Sequence, residues 1–209
     1  MSRSLVITTV ILLLAGTSVF AFLGLSRVPA SRQTTMRQSQ NVEASDARVS
    51  ETSDETGHDV LISSQRAHLA PALKGGTWIN SDPLTLEGLK GRVVVVDFWT
   101  YGCYNCRNTL PALKKWDALY REQGLTIIGV HTPEFDGEKR VDSVRNQVRS
   151  LGINYPVLTD NDNETWYAYD VHAWPTIVIL DKEGRIRWTH LGEGLYAEQE
   201  KVIKTLLAE

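Results

Sequence analysis

The chain is poor in the features that nucleic-acid binding and metal binding require. Its 22 lysines and arginines are outnumbered by 25 acidic residues, for a formal net charge of −3. No basic patch is interleaved with aromatics, which argues against a nucleic-acid partner. Cysteine is scarcer still, with two in 209 residues, at positions 103 and 106. A structural zinc site needs four ligands, and there is no second cysteine pair to supply them. A purely structural disulfide is also weak here, because closing so short a loop removes little entropy from the unfolded chain. Large apolar side chains are sparse across residues 26–74, where Ser, Thr, Gln, Arg, Asp and Glu predominate. Such a stretch cannot bury enough surface to offset its ordering entropy.

Only one apolar run reaches membrane length. Residues 5–25 carry no charge and follow Arg3 and a short tail, residues 1–4. The length matches a hydrocarbon core and exceeds the usual apolar core of a cleaved signal. It reads as a transmembrane signal-anchor; a signal peptide cut near Val19-Phe20-Ala21 is the alternative. Arg27, Arg32 and Arg37 follow the segment, against the positive-inside pattern for an exported C-terminus. The lack of cysteines beyond the pair fits an oxidising compartment, where a stray thiol would mispair. Residues 26–74 then read as a flexible tether and 75–209 as one ordinary domain. Within the tether, Val60-Leu61-Ile62 is a small apolar island, and His58 and His68 are isolated histidines in polar surroundings.

The domain alternates strands with helices. A short strand or hairpin is expected near Trp78-Ile79 and Leu84-Thr85. Val93-Val94-Val95-Val96-Asp97-Phe98-Trp99 is a continuous apolar run broken by one acid, the signature of a strand buried on both faces. Leu110, Leu113, Trp116 and Tyr120 then recur at helical spacing, with Pro111 predicting a kink. A second buried strand spans Leu125 to His131, a helix is marked by Val141, Val144, Val148 and Leu151, and a short strand lies at 155–158. A short helix at 164–169 surrounds Trp166, and Thr176 to Leu180 forms a third clear strand. Asp181-Lys182-Glu183-Gly184 is turn chemistry leading to an alternating strand at Ile186, Trp188 and His190. A closing helix carries Val202, Ile203, Leu206 and Leu207. The order implies an α/β sandwich with a mixed sheet.

Cys103-Tyr104-Asn105-Cys106 sits between the central strand and the helix after it. A C-x-x-C in that setting is the arrangement of a thiol–disulfide redox site. Cys103 falls at the helix N-terminus, where free N–H groups and the macrodipole favour a thiolate. Cys106, one turn deeper, is the resolving thiol that attacks the mixed disulfide. Asp97 implies a buried carboxyl with a raised pKa, suited to taking the proton from Cys106. Trp99, Tyr101, Tyr104 and Trp174 are candidates for an apolar substrate rim. Glu134, just past the second buried strand, is a candidate second acid near the thiols.

Residues 95–106, with Pro111 five residues after the second cysteine, resemble thioredoxin, and more closely the membrane-anchored TlpA/ResA-type and DipZ-type thioredoxin-like proteins. The opening residues 76–84 and Gly129-Val130-His131-Thr132-Pro133-Glu134 look like the DipZ branch. The resemblance implies a three-layer α/β/α thioredoxin-like sandwich, with Asp97 as the acid behind the cysteines. It also implies that Pro175 is a cis-proline opposite Cys103, in a loop that pairs with an extended substrate. It implies no cofactor beyond the Cys103–Cys106 dithiol. The expected function is a membrane-tethered, extracytoplasmic oxidoreductase that reduces protein disulfides, apocytochrome c among the candidate substrates. Electrons would arrive from a membrane thiol donor. The Tyr104-Asn105 dipeptide departs from the Gly-Pro of thioredoxin. Two alternatives stand beside this reading: a peroxiredoxin-like thiol peroxidase, since Thr100 to Cys103 matches T-x-x-C, and a non-catalytic binding module.

Overall fold

The computed structural model describes residues 59–209. The sheet has six strands: β1 (Trp78–Ile79), β2 (Val93–Trp99), β3 (Leu125–His131), β4 (Val157–Thr159), β5 (Thr176–Leu180) and β6 (Ile186–Leu191). Their order is β1-β4-β3-β2-β5-β6, with β2, β3 and β4 parallel and the β1–β4, β2–β5 and β5–β6 pairings antiparallel. Among the described residues four α-helices accompany them: α1 (Tyr104–Tyr120), α2 (Val141–Ser150), α3 (Glu164–Ala168) and α4 (Tyr196–Ala208).

The all-apolar reading of β2 follows from its central position. Its odd-numbered residues Val93, Val95 and Trp99 enter one core, packed with side chains of α1, α2 and α4. Its even-numbered residues Val94, Val96 and Phe98 enter the other, with Trp166 of α3 and the chain around Leu73, Leu84 and Leu89. One covering layer is thus helical, whereas the other is mostly irregular chain and one short helix. Leu110, Leu113, Trp116 and Tyr120 are buried, as their spacing requires. Pro111 lies inside α1, which continues through it to Tyr120.

Two expectations change. Leu84-Thr85 forms no strand, and Trp78 and Ile79 pair with Leu158 and Val157 of β4 instead of forming a local hairpin. The last part of the expected tether, residues 59–74, is fastened to the domain. Asp59 N–H donates to Thr189 O at 2.9 Å, and Ile62 N–H to Arg187 O at 2.8 Å. Leu61 packs on the helical core, and Lys74 N–H donates to Thr165 Oγ1 at 2.7 Å. This chain covers β6, whose open edge would otherwise expose unpaired backbone groups. It runs antiparallel to β6, with Asp59 opposite Thr189 and so level with Val178 of β5 and Val96 of β2. Among the described residues no helix is long and apolar enough to cross a membrane. The expected anchor at 5–25, the tether up to residue 58 and His58 lie outside the described residues.

Candidate active site

β2 ends at Trp99, and the chain turns through Thr100, Tyr101 and Gly102 to Cys103, the N-cap of α1. Cys103 has extended backbone angles (φ −71°, ψ 121°), and its Sγ accepts the Cys106 N–H at 3.1 Å. It therefore takes the place of the oxygen that usually caps a helix. Cys103 and Cys106 are joined as a disulfide, with Cα atoms 5.3 Å apart. Cys103 is half-buried, whereas Cys106 is only 1% exposed and belongs to the helical core. That asymmetry lets an outside sulfur reach Cys103 and not Cys106.

Asp97 lies on the face of β2 that α1 covers, between Val95 and Trp99. It is fully enclosed, and its Oδ1 has no hydrogen-bond partner among the described residues. Burial pushes its pKa up to about 8, because the charged form loses its hydration. Its cross-strand neighbour is Gly129. A Cβ at 129 would lie 2.8 Å from Trp99 Nε1 and 3.3 Å from the Tyr155 ring, so glycine leaves room for both side chains.

The Trp174-Pro175 bond is cis, and Pro175 O accepts the Gly192 N–H at 2.8 Å. Of the expected rim, Tyr104 is 75% exposed, and Tyr101 and Trp174 are half-buried. Trp174 Nε1 donates to Thr132 O at 3.1 Å, and its ring lies against Trp166 with centroids 4.4 Å apart. Trp99 is not part of the rim. Strand alternation directs it under α1 with Val95, where it is fully buried. Phe135, which the sequence reading omitted, is exposed, and it lies two residues from Gly137, whose carbonyl accepts the Tyr101 hydroxyl at 3.2 Å.

The acids after β3 also differ from expectation. Glu134 is exposed, and it meets the site through its backbone N–H, which donates to Glu138 Oε2 at 2.8 Å. The enclosed acid is Glu138. Its Oε2 also accepts the Thr100 hydroxyl at 2.7 Å and the Phe135 N–H at 3.4 Å, while Oε1 accepts the Gly102 N–H at 3.1 Å. Since the Thr100 hydrogen goes to Glu138, the Thr100 oxygen is free to accept from His131 Nε2–H at 3.3 Å. His131 is wedged between the edge of Trp99 and the face of Tyr101. Burial lowers its pKa to about 4, against the opposing pull of Glu138, so the ring is neutral near pH 7. The signal for Glu138 was half a capping box, in which the third residue of a helical turn reaches back to the cap N–H while the cap side chain returns no bond. Phe135 in place of Ser or Thr at the cap concealed it. Among the described residues no three His, Cys, Asp or Glu side chains form a metal-holding group.

A Cβ on Gly102 would collide with Glu138 Oε1. Gly102→Ala is therefore expected to push the carboxylate out of its set of donors, lowering stability by about 1–2 kcal/mol. Thermal unfolding checks this, and an unchanged midpoint would mean that Glu138 is free to move.

Comparison with known proteins places these features in a family context. The family model described as AhpC/TSA family matches residues 68–189. Protein DipZ of Mycobacterium bovis is 41% identical over 142 residues, which cover 66% of this chain and 20% of DipZ. Thiol-disulfide oxidoreductase ResA of Bacillus subtilis is 32% identical over 107 residues, or 51% of this chain and 57% of ResA. Among solved structures, a thioredoxin-like superfamily protein is 28% identical with a TM-score of 0.64, covering 68% of this chain and 97% of that one. The chain thus spans about a fifth of the length of the DipZ relatives it matches.

Proposed function

The chain belongs to the AhpC/TSA family and carries a thioredoxin-like domain, and from that premise we propose that it is a thiol–disulfide oxidoreductase acting on protein disulfides outside the cytoplasm. The observation that carries the reading is the Cys103–Cys106 pair itself, with one sulfur accessible at the mouth of α1 and its partner enclosed one turn behind. The relatives named as thiol-disulfide oxidoreductases support the same chemistry.

In the reducing direction, the Cys103 thiolate attacks a substrate disulfide. One new S–S bond forms, and one substrate thiolate leaves. Cys106 gives up its proton to Asp97 in its ionised form, the minor one near pH 7, and attacks Cys103 Sγ. The mixed bond breaks, the second substrate thiolate departs, and the Cys103–Cys106 disulfide remains. Two electrons have passed to the substrate, and a dithiol donor must return them. A carboxyl with a pKa near 8 is well matched to a thiol proton, since transfer is most efficient between groups of similar pKa. The exposed Tyr104 and Phe135, with half-buried Trp174 next to the buried cis-Pro175, offer an apolar surface suited to an extended, unfolded substrate segment. Apocytochrome c is one such substrate.

Residues 5–25 serve in this reading as a membrane anchor.

Cys106→Ser tests the reading. Reduced and then mixed with a protein that carries disulfides, such as insulin, the variant is expected to accumulate a covalent Cys103–substrate species on non-reducing gels, with turnover lost. Insulin reduction at the wild-type rate would refute the exchange mechanism. The peroxidase alternative draws on the family match and on Thr100, but the Thr100 hydroxyl is committed to Glu138. Rapid peroxide consumption by Cys106→Ser would favour that alternative.

A further inference from the structure

The peptide N–H that immediately precedes the nucleophile is engaged by an anion. Gly102 N–H donates to Glu138 Oε1 at 3.1 Å, and the carboxylate is 5% exposed. Three further donors, Thr100 Oγ1, Glu134 N–H and Phe135 N–H, hold it there. A negative charge is thus fixed one peptide link from Cys103, by groups drawn from both the β2–α1 turn and the loop after β3.

The other titratable and charged groups facing this position do not offset it. His131 of β3 is buried and neutral near pH 7. Asp97 of β2, beneath the dithiol, is protonated near pH 7. Tyr101 has its phenol pushed up by burial, and Glu138 adds to that rise. Arg107 of α1 is the nearby cation, with Nε donating to Tyr101 O at 2.9 Å, but it is exposed to solvent. Lys139 is exposed and paired with Asp136 at 2.8 Å, and Glu134 and Tyr104 are exposed. Charges exposed to water are weakened by its high dielectric and screened over about 10 Å at 0.1 M salt, whereas an enclosed one is screened much less. Glu138 therefore opposes the pull of the α1 N-terminus on a Cys103 thiolate.

We infer that Glu138 is a positioning residue whose buried carboxylate disfavours the Cys103 thiolate and so biases this dithiol toward donating electrons. The inference deepens the exchange reading above and rests on it for the meaning of the bias. A strong oxidant of this class is one whose reduced form is stabilised. An anion beside the attacking sulfur does the reverse. It destabilises the reduced, ionised pair relative to the uncharged disulfide, and so favours passing two electrons to the substrate.

The test is the reactivity of the reduced protein, carrying residues 59–209 within the full chain, toward iodoacetamide across pH. Glu138→Gln is expected to raise the Cys103 thiolate fraction about tenfold at pH 7, read from the pH profile of its alkylation. Measured above the thiol titration, the same tenfold corresponds to a rise in reduction potential of about 30 mV. Thr100→Val removes one donor but keeps the charge, and its Cys103 is expected to stay within about twofold of wild type. A purely structural role would move both variants together. An unchanged Cys103 in folded Glu138→Gln, or an equal shift in Thr100→Val, overturns the inference. Should Glu138→Gln not fold, Glu138→Asp draws the anion back from Gly102, and a gain of about threefold is expected from it; no gain overturns the inference. Insulin reduction by the same samples separates the two readings, because a shifted thiol in a protein that reduces no disulfide would sink the exchange function and leave the role of Glu138 standing.

Discussion

Replacing Asp97 by Asn is expected to yield a more stable protein that resolves mixed disulfides more slowly. The carboxyl has a pKa of about 8 in the fold against a model-peptide value of 3.8, with burial as the cause. Between those values the folded chain holds a proton that the unfolded chain has released. Stability therefore falls as pH rises from about 4 to about 8 and levels off above. At pH 7 the cost is on the order of 4 kcal/mol, and Asn, which also lacks a partner there, recovers about 2–4 kcal/mol of it. Urea unfolding at pH 4 and pH 8 checks this: wild type loses stability over that window, and Asp97→Asn does not. The same substitution removes the proton acceptor for Cys106. Release of substrate from the mixed disulfide is expected to slow by about 10²-fold, the usual scale of general-base catalysis. Unchanged resolution across pH would exclude Asp97 from the mechanism, and an unchanged stability slope would mean that its burial costs nothing.

Asp181 is expected to behave in the opposite sense. Burial raises its pKa, but hydrogen bonds from Arg185 and Arg187 outweigh that and hold it below the ordinary value. Its Oδ1 accepts the N–H groups of Glu183 and Arg185, and its Oδ2 faces Arg185 Nε at 2.9 Å and Arg187 Nη1 at 3.4 Å. Arg187 is itself enclosed, shared between Asp181 and Glu209. Asp181→Ala leaves that guanidinium with one fewer counter-charge and the β5–β6 turn without its acceptor, at a cost of about 3–5 kcal/mol. Because the folded-state pKa is depressed, this contribution is complete above about pH 4 and disappears as pH falls through the folded value. Denaturant unfolding at pH 7 and at pH 2 measures both arms, and a loss that is equal at the two pH values would contradict the ion-pair account. Asp181 follows Leu180, which pairs with Val94 near the start of β2, at the opposite end of the sheet from Cys103. Disulfide exchange by the folded variant is accordingly expected to match wild type.

The two aspartates show where sequence reading succeeds. Asp97 stands out because it interrupts an apolar strand, so its burial is written into the local pattern. Asp181 reads from sequence as turn chemistry, which is correct, but its link to Arg187 is visible only once β6 folds back on β5. Trp99 and Tyr101 look alike as aromatic neighbours of the cysteines. Trp99 is still in β2 and is turned under α1, whereas Tyr101 lies past the end of the strand, in the turn, and stays half-exposed.

By itself the sequence determined the central strands, the helix faces and the pairing of a C-x-x-C with a buried acid, because each of these is carried by periodicity or spacing over a few residues. The tertiary structure alone decided that Glu138 and not Glu134 is the enclosed acid, that residues 59–74 cover the edge of β6, and that Trp78 pairs with Leu158. Those outcomes depend on contacts between segments tens of residues apart, where a donor or an open strand edge is satisfied by whichever group the fold brings to it.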